Sequence, residues 1–230
     1  MTTIDHHQEI VTARIAGLCY LLLAISGVFG FIVLHPQVFV ADPRETLIRL
    51  TDLEATSRAR LLLEFAVIIS QALTAVWFYR LFRTINEWAA WAVGIWGMIN
   101  CVAILISAIT MASAIEVAHS TFYSIEDKSI LIGLSNILIA NAWKVGGLFF
   151  GLWLIPLGYL VTSSRRMPLW LGRTLILGGT GYLLSVVAIS LGGSGWVSDV
   201  LVVPATVGEF WMIGYLLVYG IRAAASEPAS

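Results

Sequence analysis

The sequence predicts an all-α polytopic membrane protein: six transmembrane helices, with a short amphipathic surface helix after the first and an extra short helix before the fourth. Three observations carry this. The 230 residues are 59% hydrophobic and only 12% charged, against roughly 45–50% and about 25% in soluble domains. Mean hydropathy is +0.89. Six apolar runs reach the ~20 residues that cross a hydrocarbon layer of roughly 30 Å. Backbone polar groups in lipid must bond within a helix or a closed barrel. The strand alternation of a barrel is absent, so the runs are helices. This composition excludes a soluble enzyme and a disordered chain. A net charge of −1 leaves no basic footprint for nucleic acid. Residues 1–230 read as a single membrane domain.

The elements follow in order. Residues 1–13 read as a flexible tail. The first span covers about 15–34, longer than a signal-peptide core, and His35-Pro36-Gln37 follows it rather than a small-residue cleavage site. Asp42-Pro43 then reads as an N-cap with proline at the first helical position. Leu47, Ile48, Leu50 and Leu53 recur at near-helical spacing, which predicts a helix lying on the membrane surface. The second span is about 60–82 and the third about 88–112. A second long connection, 113–141, is polar at Glu116, His119, Glu126, Asp127 and Lys128 and apolar afterwards. One helix over 129–164 would be roughly 54 Å long, too long for one bilayer. A separate interfacial or protruding helix over 130–141 is therefore expected, with a bend near Asn141 or Gly146-Gly147. Spans four to six are about 142–163, 168–191 and 200–222, and 223–230 reads as a second flexible tail.

Six spans place both termini on one side. That side carries Arg14, Arg80, Arg83, Arg165, Arg166, Arg173 and Arg222. The other carries Arg44, Arg49, Arg58, Arg60 and Lys128, four of them offset by carboxylates in one loop. Lysine and arginine gather on the cytoplasmic side, so both termini are expected in the cytoplasm of a bacterial inner-membrane protein. Gly147-x-x-x-Gly151 and the small residues Gly178, Gly179, Gly181 and Ser185 predict close helix contacts. Trp88, Trp91, Trp143, Trp170 and Trp196 fall at expected interfaces, as an aromatic belt does. Trp211, Tyr215 and Tyr219 form a packing stripe on the sixth span. Cys19 and Cys101 sit in separate apolar runs with no metal-ligand or redox spacing. No cofactor or metal is expected.

Charges in hydrocarbon cost roughly 2.5–3.5 kcal/mol each on insertion scales. Glu64, Lys144 and Glu209 are the three that fall inside spans, with Asn100 and Gln71 beside them. Counting from the nearest cytoplasmic arginine at 1.5 Å per residue puts Glu64 at roughly 24 Å, Asn100 at roughly 25 Å, Glu209 at roughly 20 Å and Lys144 at roughly 31 Å. Four helices thus bring polar groups to the outer half of the bilayer. Gln71 lies one heptad from Glu64 on the same face, and Asn100 and Ser107 share a face likewise. Two readings stay open: a polar pocket lined by Glu64, Lys144 and Glu209, or an interhelical ion pair of Lys144 with one carboxylate that only specifies packing. Glu209 ranks first as a proton-carrying or ligand-binding group. His119 reads as solvated, and His6 and His7 lie in the tail. No HExxH, GxSxG, DDxxD or phosphate-cradling glycine motif occurs.

The residues also carry a family resemblance. Arg14-Ile15-Ala16-Gly17 opens the first span, Asp42 pairs with Thr46 in the loop, and Tyr79-Arg80-Leu81-Phe82-Arg83 closes the second span. Phe149-Phe150-Gly151-Leu152 and Leu157-Gly158-Tyr159-Leu160 mark the fourth. Pro168-Leu169-Trp170-Leu171-Gly172 with Gly179-Thr180-Gly181-Tyr182 is the most specific stretch, and Leu216-Leu217-Val218-Tyr219-Gly220 follows Glu209. On these the chain resembles, over nearly its whole length, the bacterial family called domain of unknown function 4386, uncharacterised six-helix membrane proteins. It departs from that family at Tyr215, where tryptophan is usual, and at Tyr219, where a basic residue is usual. Lys144 is atypical, whereas Glu209 fits. The resemblance implies a fold and a membrane location, and no established reaction.

The leading expectation is a non-enzymatic protein that binds or translocates a small lipophilic molecule through the outer-half pocket. Its partners would be the lipid bilayer, that molecule, and a second copy of the chain supplying the symmetry a single six-helix chain lacks. The alternatives are an intramembrane enzyme using Glu209 and Glu64 as acid and base on a lipid or prenyl-type substrate, and an accessory or scaffold subunit without a site.

Overall fold

The structure, a computed structural model, describes residues 3–193 and 195–223, with side chains from His6 onward. Within them the chain is helical, with no strand. The elements are α1 (Thr3–Gly27), a π-helical continuation (Val28–Leu34), α2 (His35–Val38), α3 (Pro43–Asp52), α4 (Glu54–Phe82), α5 (Glu87–His119), α6 (Ile125–Ser164), α7 (Leu169–Ser190) and α8 (Gly195–Val218). Six helices among the described residues are long and apolar enough to cross a membrane, the first running from His6 to Val38. The fold is therefore a multi-pass helical membrane bundle.

Several boundaries differ from the sequence-based expectation, each for a physical reason. Residues 3–13, expected as a tail, are the opening turns of α1. Past Ala223, the expected C-terminal tail lies outside the described residues. The separate helix expected over 130–141 is the start of α6, a continuous helix of 40 residues, about 60 Å at 1.5 Å per residue. The excess over the bilayer is tolerated because it packs on protein: Ile132 and Ile139 are fully buried in a core with Val38, Leu50 and Met111. The same core explains α3. Asp42 caps it as expected, its carboxylate accepting from Arg44 N at 2.9 Å, but Leu47 and Leu50 turn into protein while Ile48 and Leu53 stay exposed.

Contacts group the chain into two units. One gathers residues 1–21, 72–99 and 147–230. In it α7 lies against α8 and α6 through glycines. A Cβ on Gly178 would collide with the Ala205 backbone, and one on Gly181 with the Leu201 carbonyl. A Cβ on Gly151 would come within 2.7 Å of Gly179 O, whereas on Gly147 the nearest atom stands at 3.5 Å. Gly151 therefore carries the expected small-residue contact. Arg166 ties three segments together: it pairs with Glu9 of α1 at 2.5 Å and donates from Nε to Arg222 O at 2.5 Å. The N-terminal end of α1, the α6–α7 turn and the chain after α8 thus meet at one place.

The other unit gathers residues 22–71 and 100–146. Gly30, in the π-helical stretch, lets that backbone approach α4, since a Cβ there would stand 3.2 Å from Leu63 Cβ. Thr46 on α3 donates to Asp42 O at 3.1 Å and accepts from Val40 N at 3.1 Å, and Asn136 on α6 donates to Val40 O at 3.2 Å. These bonds replace water for the loop that joins α2 to α3.

The glycine contacts are testable. Gly181→Ala is expected to cost about 1–3 kcal/mol through overpacking. Gly214→Ala, where nothing lies within 4 Å of the added Cβ, should be neutral or gain up to about 1 kcal/mol of helix propensity. Thermal melting in detergent measures both.

Candidate functional site

Glu64 lies on α4 and is 1% exposed. One turn earlier on the same helix, Arg60 is equally buried, a sequence offset of four that brings two side chains onto one face. Arg60 Nη1 donates to Oε2 at 2.8 Å and Nη2 to Oε1 at 3.4 Å. Ser107 on α5 donates to Oε1 at 2.5 Å, and Trp143 Nε1 on α6 at 3.1 Å. The carboxylate therefore has a countercharge and donors from three helices. Phe31, carried by the π-helical stretch, lies under the Arg60 guanidinium at 5.9 Å and against Trp143 at 4.6 Å. A cation over a ring face is stabilised by the ring quadrupole, so the arginine is held on both sides. Its Nε has no partner among the described residues.

One heptad along each helix, the pattern repeats. Gln71 follows Glu64 by seven residues and Asn100 precedes Ser107 by seven. Asn100 Nδ2 donates to Gln71 Oε1 at 2.8 Å, with both residues fully buried. The two antiparallel helices thus share two polar rungs, Glu64–Ser107 and Gln71–Asn100. Gly146 on α6 leaves room for this rung, because a Cβ there would stand 3.0 Å from Asn100 Oδ1. Lys144 has no part in either rung. It is exposed, and no ion pair or hydrogen bond joins it to another described residue. Its neighbour Trp143 is the residue that reaches Glu64. The cation paired with Glu64 is Arg60, which the orientation count assigned to a loop.

Glu209, on α8, has a different environment. Tyr20 of α1, 2% exposed, donates its hydroxyl to Oε1 at 2.5 Å. Tyr20 stacks on Trp153 at 5.9 Å and meets Phe78 edge-on at 5.5 Å, so its ring is clamped and its hydroxyl aimed. Trp153 also stacks on Phe150, which stacks on Tyr182. Glu209 is half-buried, and no basic side chain pairs with it among the described residues. Sequence reasoning missed Tyr20 because a tyrosine in an apolar run resembles packing. It missed the role of Arg60 although the offset to Glu64 is a readable signal. Both cysteines are free, and no group of three metal-ligating side chains occurs among the described residues.

Comparison with known proteins adds a family and no activity. A family model described as "Domain of unknown function (DUF4386)" matches residues 15–220. An "Uncharacterized protein" of Archaeoglobus fulgidus is 30% identical over 121 residues, 52% of this chain and 60% of that protein. The chain thus spans about 60% of the length of this curated relative. No solved structure matches.

Removing one member of a buried ion pair strands the other charge at a cost of about 3–5 kcal/mol, whereas replacing both by apolar groups is often neutral. Arg60→Met should therefore lower stability by about 3–5 kcal/mol. The double change Arg60→Met with Glu64→Leu should recover most of the loss in a melting experiment. Equal losses in the two variants would contradict the pairing.

Proposed function

The chain belongs to that family of unknown function, and from this premise we propose that it is a non-enzymatic protein that binds or moves a small lipophilic molecule, with Glu209 as the polar anchor. The observation that carries the reading is the contrast between two embedded carboxylates. Glu64 is sealed: a guanidinium and two further donors satisfy it, and solvent does not reach it. Glu209 has one neutral donor and no cation among the described residues, and the residue as a whole is half-buried. An ionised carboxylate without a countercharge is strongly disfavoured in hydrocarbon. Such a carboxylate calls for a proton or a cationic partner, and a ligand that brings a cation or a hydrogen-bond donor would stabilise it. A fixed tyrosine hydroxyl beside an apolar, aromatic wall is the kind of sparse polar anchoring that lipophilic ligands use.

The basic residues favour an orientation with both termini in the cytoplasm, in a bacterial inner membrane. The contact of Glu9, Arg166 and Arg222 in one place supports a shared side for the two ends.

The test is retention. Wild type, Glu209→Gln, Tyr20→Phe and Asp199→Asn are purified in detergent and extracted with organic solvent, and the extracts are compared by mass spectrometry. Asp199 is an exposed carboxylate on the same helix. A lipophilic species held by wild type and Asp199→Asn should fall at least about tenfold in Glu209→Gln, the equivalent of one charge-assisted hydrogen bond, and less in Tyr20→Phe. Identical extracts from wild type and Glu209→Gln would overturn the reading.

A further inference from the structure

Two adjoining clefts lie on the face shared by α4 and α5. One, of about 600 Å³, is lined by Glu87, Trp88, Trp91 and Trp96 among others. The next, of about 400 Å³, is lined entirely by apolar surface, with Tyr79, Gly94 and Met98 among its walls. They share Trp91 and Ile95, so they form one trough. A Cβ on Gly94 would touch nothing within 4 Å, which leaves the floor open there. Both walls belong to helices apolar enough to span a membrane, so the trough opens along the bilayer. Its size fits a hydrocarbon chain. Trp88 is 85% exposed at the polar end, where indole rings sit at the headgroup level.

That polar end carries charge. Val76 and Tyr79 line the trough from α4, and Arg83 continues their row at helical spacing, its backbone N–H still bonded to Tyr79 O at 2.9 Å. Arg83 is exposed and its side chain has no hydrogen bond or ion pair among the described residues. Arg80 lies over the Trp77 ring at 5.1 Å. Glu87 lines the trough and has no ion pair among the described residues. Arg80 and Arg83 follow Val76 by four and seven residues, so helical spacing puts both on the trough side of α4, two basic residues against the one carboxylate that lines the clefts. This arrangement suits a phosphate on Arg83 and headgroup hydroxyls that can donate to Glu87.

We propose that this trough binds one anionic phospholipid of the phosphatidylglycerol type, an acyl chain lying against Trp91 and Gly94 and the phosphate on Arg83. Basic residues between membrane helices at the headgroup level recognise anionic lipids in this way. The proposal is independent of the reading of Glu209.

Native mass spectrometry of the full chain, with phosphatidylglycerol or phosphatidylethanolamine added to the detergent, tests it. Wild type should retain phosphatidylglycerol in preference. Arg83→Gln should reduce that preference about fivefold, as expected for one basic residue at an anionic headgroup. Gly94→Leu, whose Cβ meets no neighbour and whose side chain would occupy the floor, should remove both bound lipids without lowering the melting temperature. Equal retention of the two lipids by wild type, preference for phosphatidylethanolamine, or wild-type retention in Gly94→Leu would each overturn the assignment. So would a dimer by light scattering that Gly94→Leu converts to monomer, because a second copy would then occupy the trough.

Discussion

Hydrocarbon offers no hydrogen bonds, so each polar group carried into the bilayer must find its partner inside the protein. This constraint orders the structure. It makes every span a helix. It also forces the polar side chains of α4 and α5 into register, since Glu64 meets Ser107 and Gln71 meets Asn100 only if the helices hold one relative position. Apolar packing between helices in lipid has little directional preference, because lipid tails are as apolar as leucine. The two polar rungs supply the specificity that packing lacks. Arg60 then neutralises the one formal charge in that set, and Phe31 and Trp143 close over it.

Against that background Glu209 is the exception. The same chemistry that seals Glu64 is withheld from it, and only the Tyr20 hydroxyl is supplied. An embedded carboxylate with no countercharge among the described residues is a functional candidate by default. The aromatic wall formed by Tyr20, Trp153, Phe150 and Tyr182 fixes the hydroxyl without adding charge. Nearby, α7 and α8 close through glycines whose added Cβ atoms would strike the facing backbone, so the helix bearing Glu209 is positioned by steric fit rather than by ion pairs.

Much of this was legible in the sequence. Apolar run length gave six spans, the pair Asp42-Pro43 gave the start of α3, and scarcity of charge singled out Glu64 and Glu209. Other features were not legible, the Tyr20 hydroxyl among them. Bilayer thickness argues against a single helix as long as α6, but thickness limits only the lipid-exposed part, and Ile132 and Ile139 bury the excess against protein. Arg60 reads as a loop charge because it sits at the start of an apolar run, yet its i, i+4 offset to Glu64 lets the two pair along one helix face. Lys144 drew attention as a charge within a span, and its side chain instead lies exposed. Position along a helix is readable from hydropathy. Which way a single side chain points is set by neighbours that the sequence does not bring together.

Of two embedded carboxylates, Glu64 is closed by the fold, and the proposed function requires that Glu209 be reachable by a ligand. A lipid-soluble carbodiimide reaches carboxyl groups from the apolar phase and leaves a covalent adduct. Peptide mapping of the full chain after such treatment in membranes should find the adduct on Glu209 and none on Glu64. Labelling of Glu64, or equal protection of both residues, would contradict the account.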